Sequence, residues 1–128
     1  MTDGLPVESI VTIDGWMVEA HNTAISKGWW DGPDGQRILA AERNLGEQLA
    51  LFHSEISEAL EEWRAGHPIT EVRYEESGKP VGFPIEIADL LIRVFDTTEA
   101  YGIDLQQALE IKAAYNRSRP YRHGGKKA

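Results

Sequence analysis

Residues 44–66, NLGEQLALFHSEISEALEEWRAG, decide the fold. Asn44 followed three residues later by Glu47 resembles a capping box with Asn in place of Ser or Thr, and Gly66 with Pro68 beyond it ends the segment. A helix is therefore predicted to about Ala65. On a wheel of about 100° per residue with Glu55 at zero, Leu45, Leu49, Phe52, Ile56, Ala59, Leu60 and Trp63 fall between about 40° and 140°. That arc reads as the stripe facing the core. Glu58 at about −60° and Glu62 at about −20° border it, whereas Glu61 at about 240° points elsewhere.

Upstream, residues from about 8 to 27 read as a first helix, with Ile10, Ile13, Met17, Ala20 and Ala24 on one face, Gly15 weakening it and Gly28 stopping it. Gly32, Pro33 and Gly35 break the chain, and 36–43 reads as a short helix or the lead-in to the next. Downstream, Val72 and Tyr74 are separated from Val81 and Phe83 by Ser77-Gly78-Lys79-Pro80, the pattern of a short β-hairpin or an extended insertion. Pro84 opens a third helix ending near Tyr101 at Gly102. Asp104 caps a fourth that runs to near Arg117. No repeat, linker or low-complexity tract interrupts the order. The expected fold is all-α, a single domain over 1–128: a four-helix antiparallel bundle with a short hairpin or extended insertion between helices two and three.

The third helix carries a second acid pair. With Glu86 at zero, Asp89 lies at about −60°, Arg93 at about −20° and Asp96 at about −80°, while apolar residues cover more than half the circumference. Charges on so apolar a helix are costly unless paired or metal-bound. Two antiparallel helices, each with an acid pair three residues apart, can converge Glu55, Glu58, Glu86 and Asp89 on one point. An all-oxygen donor set without His or Cys suits Mg²⁺, with Mn²⁺ as substitute, and not Zn²⁺. The competing reading is a solvated acidic face paired with Arg93 and other bases. His53 stands beside the stripe and reads as structural.

Bulk properties narrow the classes. The 128 residues are 41% hydrophobic and 27% charged, a globular composition, and the absence of cysteine excludes a disulfide framework or thiolate site. A formal net charge of −8, from 21 acidic and 13 basic residues, disfavours a nucleic-acid polymer as partner. No apolar run is long enough for a membrane span, and MTDGLPVES lacks the features of a signal peptide; a cytoplasmic protein is expected. Between Arg117 and Lys127 there are five Lys or Arg residues and no acid, so the tail from about 117 to 128 is basic. It suits an anion grip or a solvated terminus.

Glu55-x-x-Glu58 followed by Glu86-x-x-Asp89 resembles the paired acidic motif of the all-α nucleoside triphosphate pyrophosphohydrolases, which include MazG-like proteins and dimeric dUTPases. HSEISEALEEWRAG, EIADLLIRVFD and YGIDLQQALEIKAAYNRSRPYRHGGK look like a small MazG-like protein over residues 40–125, with KGWW at 27–30 in support. The resemblance implies Mg²⁺-dependent cleavage of a nucleoside triphosphate to the monophosphate and pyrophosphate. It also implies a homodimer or dimer of dimers with sites at or near subunit contacts. Glu55, Glu58, Glu86 and Asp89 would hold the metal, and Lys112 and Asn116 would lie near the phosphates, followed by Arg117 and Arg119. Ser54 stands where some members have an acid, which leaves the water-activating group open. Glu55 is the first candidate for that shared role, with Glu62 or Asp96 able to contribute.

Lys112 and Asn116 share a face of the fourth helix beside Leu105, Ala108 and Leu109. From there Lys112 either reaches a phosphate or snorkels. Arg117, Arg119 and Arg122 suit bidentate contacts to pyrophosphate. Trp29 and Trp30 either stack on a base or pack in a core or dimer contact. Base selectivity is expected in the Trp29-Trp30 loop and the 70–83 hairpin. The alternative function is a non-catalytic nucleotide-binding or regulatory helical dimer module. A third reading is a helical dimer whose acids only solubilise it.

Overall fold

A computed structural model describes residues 6–121. The described chain is mostly helical: α1 (Ile13–Ser26), α2 (Leu45–Arg64), α3 (Phe83–Ala100) and α4 (Leu105–Ser118), with strands β1 (Arg73–Tyr74) and β2 (Pro80–Val81) between α2 and α3. The strands pair antiparallel, Arg73 opposite Val81 and Tyr74 opposite Pro80. No helix among the described residues is long and apolar enough to cross a membrane.

Helix ends follow local chemistry. The Asn44 side chain accepts from the Glu47 N–H and the Asp104 side chain from the Gln107 N–H, each satisfying a first-turn donor. The first α-helix starts later than the expected residue 8. Val7–Ser9 form one 3-10 turn, and Thr12, in extended conformation, accepts from the Gly15 N–H and sets the start at Ile13. Gly15 fits because a β-carbon there would come within 2.9 Å of the Thr12 hydroxyl. The 36–43 segment contains only a 3-10 turn, Ala40–Glu42, beyond a bridge between Asp31 and Arg37.

Helix α3 is central and packs on both α1 and α2; α4 lies against α1 and buries no residue. Met17 and Ala20 of α1 meet Phe95 of α3, with Ile13, Trp16 and Leu105 packed around them. At the start of α3, Gly82 has φ 132° and sits so close to the Glu71 carbonyl that no side chain fits, which ties the hairpin to the helix.

Helix α2 differs from expectation. Its buried residues are Gln48, Glu55 and Ala59, on the side covered by α3, so the acid-bearing side faces inward. The apolar stripe expected to face the core is largely exposed: Leu45, Leu49, Ile56, Leu60 and Trp63 all stand in solvent, Trp63 at 61%. Periodicity identifies residues that share a face, but not what covers it. Leu91 and Ile92 of α3 are also exposed, so that helix is less enclosed than its composition suggested.

Candidate metal and substrate site

The face between α2 and α3 is where the two acid pairs meet. One carboxylate oxygen each from Glu55, Glu86 and Asp89 lie within 4.8 Å of one another, the spacing of a group able to hold a metal ion. Glu58, one turn beyond Glu55, is close enough to Glu86 and Asp89 to perturb both. Glu55 is buried, and Arg93 Nε donates to its Oε1 across 2.6 Å.

The carboxylates crowd one another. Loss of water, then a hydrogen bond and repulsion from Glu58, then repulsion from Asp89 and Glu55, push the Glu86 carboxyl from 4.5 up to about 7. Burial and the charge of Glu58 also raise Asp89, against the pull of Arg93 and of Lys79 from the hairpin. The Glu86 Oε2 atom is sealed from solvent with no hydrogen-bond partner. A buried acceptor without a donor is costly, and a divalent cation coordinated by oxygen satisfies it. The residues present, all oxygen donors, therefore fit a hard cation.

Beside this cluster opens a cavity of about 610 Å³ between α1, α2 and α3. Glu55, Glu58, Asp89 and Arg93 line one part; Thr23, Trp29, Arg43, Gln48 and Leu51 also contribute to its wall. The two tryptophans divide between the roles considered for them. Trp30 is 2% exposed, part of the core, whereas Trp29 is 67% exposed and lines the cavity. Asp96 also lines it, but its Oδ1 accepts from Trp30 Nε1 at 2.9 Å and lies 2.8 Å from His21 Nδ1. The Arg43 guanidinium lies 4.4 Å over the Trp30 ring and donates to the Trp29 carbonyl.

Other sequence candidates lie elsewhere. Arg73 holds both oxygens of Glu62, at 2.8 and 3.2 Å, so Glu62 pins the hairpin to α2 and does not line the cavity. Lys112, Asn116, Arg117 and Arg119 do not line it either; Lys112 and Arg119 instead flank the Tyr115 ring at 5.0 and 5.5 Å. His53 is exposed, and the Ser54 hydroxyl donates to the Leu51 carbonyl. Arg122 and most of the basic tail lie outside the described residues. Sequence reasoning missed Gln48, Arg43 and Lys79. Gln48 was within reach of the wheel, because seven residues separate it from Glu55 and place both on nearly one face.

Comparison with models of known protein families, with curated proteins and with solved structures returned no match.

Proposed function

We propose that this chain is a Mg²⁺-dependent nucleoside triphosphate pyrophosphohydrolase, converting an NTP or dNTP to its monophosphate and pyrophosphate. The observation that carries the reading is the partnerless buried oxygen of Glu86 inside a three-carboxylate group beside an open cavity. Glu55, Glu86 and Asp89 would hold the ion, with Glu58 alongside. When bound, the ion neutralises charge on the phosphate oxygens and acidifies water.

The chain's own groups supply the rest. Water oxygen bonds to the α-phosphorus, the bond to the bridging oxygen breaks, and pyrophosphate leaves. Glu58 is the best-placed acceptor of the water's proton. It lines the cavity, lies outside the closest trio and pairs with no Arg among the described residues, whereas Arg93 engages Glu55. Asp96 is committed in part to Trp30 and His21. Arg93 supplies positive charge at the cavity wall for the phosphate chain.

The active form is a homodimer or dimer of dimers. The exposed stripe of α2 gives a second copy an apolar face to cover. In that assembly Lys112, Asn116, Arg117 and Arg119 of the exposed α4 reach a neighbouring cavity, since they do not line their own. Binding without hydrolysis is the second reading, favoured by Ser54, whose hydroxyl bonds to backbone and supplies no base.

The deciding experiment offers a panel of NTPs and dNTPs with Mg²⁺ and measures pyrophosphate against orthophosphate. Pyrophosphate release from at least one nucleotide is expected. Folded protein that binds nucleotide without turnover supports the second reading.

A further inference from the structure

We infer that Gln48 reads the nucleobase of the bound nucleotide, an inference that rests on the nucleotide reading above and assigns the part of the cavity about two turns of α2 from Glu55. Gln48 is 7% exposed, lines the cavity, and its side-chain amide makes no hydrogen bond among the described residues. Glu86 Oε2 is the one sealed side-chain polar atom without a partner among the described residues, so the Gln48 amide is not sealed and its donor and acceptor stay open to the cavity. Here the unpaired amide borders open space wide enough for a ligand.

Its position fits a base. Gln48, Leu51, Glu55 and Glu58 all line the cavity from α2, so the wall is a trough along one helix. Seven residues separate Gln48 from Glu55, about 10 Å along the helix axis at 1.5 Å per residue. A nucleotide whose phosphates lie at Glu55, Glu58 and Asp89 extends its base toward Gln48, where Arg43 and Asp96 also contribute to the wall. Trp29 lines the same cavity and supplies aromatic surface. A primary amide carries a donor and an acceptor side by side, the complement of the paired groups on a base edge. It is uncharged, so it does not compete with the acid end for the cation or with Arg93 for phosphate.

The test measures calorimetric affinity, with Mg²⁺ present, for non-hydrolysable α,β-methylene analogues of the common nucleotides and for inorganic tripolyphosphate. Wild-type protein, Gln48→Leu and Gln48→Met are compared. The wild type is expected to prefer its best nucleotide over tripolyphosphate, and both variants to lose about 10- to 100-fold of that preference while keeping tripolyphosphate affinity. Unchanged nucleotide preference in the variants overturns the inference, as does a wild type that binds tripolyphosphate as tightly as any nucleotide. That last result leaves the hydrolysis reading standing. Base-dependent binding without pyrophosphate release contradicts hydrolysis alone.

Discussion

Arg93 donates to Glu55 across 2.6 Å, joining α3 to α2 at the wall of the cavity and compensating a carboxylate whose side chain is only 7% exposed. The Arg93 side chain is 38% exposed, so the pair is anchored on the acid side and open on the basic side. Removing the base leaves a buried charge. Arg93→Met should destabilise the metal-free protein by roughly 2 kcal/mol, less than a fully enclosed pair because water reaches the guanidinium. Saturating Mg²⁺ should recover part of the loss in a denaturant melt. A variant as stable as wild type without metal would show that Glu55 is compensated by something other than Arg93.

The Glu86 carboxyl gives the metal-free protein a defined pH dependence. Its folded value of about 7 lies above the ordinary 4.5, so between the two the folded state binds more protons than the unfolded state. Its stabilising contribution is full below the unfolded value and is lost as pH rises through about 7. Asp89, raised by burial and Glu58, acts in the same direction. Urea melts in chelator should show that Glu86→Gln removes much of this decline and is the more stable protein at pH 8. Its Mg²⁺ affinity should fall by at least tenfold.

Glu62 offers a control beside the site. Because Arg73 holds both its oxygens and it does not line the cavity, Glu62→Gln should leave Mg²⁺ affinity within about twofold. The pair is open to water, so its loss should lower stability only slightly. Hydrogen exchange should quicken in β1 and β2. A large loss of Mg²⁺ affinity would place Glu62 among the ligands.

The exposed stripe on α2 predicts assembly. Ile56→Glu should convert the oligomer to monomer in sedimentation equilibrium, since a charge in an apolar interface is unfavourable. If α4 serves a neighbouring cavity, mixing inactive Lys112→Ala with inactive Glu58→Gln should restore activity, because some mixed dimers contain one intact site. A wild type that is monomeric throughout would contradict this part of the account.

How much of this was legible in the sequence depends on the kind of signal. Local chemistry was: Asn44 and Asp104 cap the helices assigned to them, Gly66 and Gly102 follow the ends of α2 and α3, and Ser77-Gly78-Lys79 turns the hairpin. The start of α1 was not, because Thr12 outcompeted an apolar pattern that extends farther upstream. On α2 the wheel placed Glu55, Glu58 and the apolar stripe correctly relative to one another, but it assigned the core to the stripe. In this chain α3 covers the acid-bearing side instead, a choice made by tertiary packing. Gln48 carried no motif signal, and its interest lies in an amide that faces the cavity, which only the folded chain reveals.

Pyrophosphate release tests the central claim most directly. Wild type and Glu86→Gln, both shown folded by circular dichroism, are each offered the nucleotide panel with Mg²⁺ and with excess chelator. The account predicts that wild type releases pyrophosphate only with Mg²⁺, and that Glu86→Gln loses at least a hundredfold in rate. Turnover that survives chelation, or equal rates in the two proteins, would contradict it.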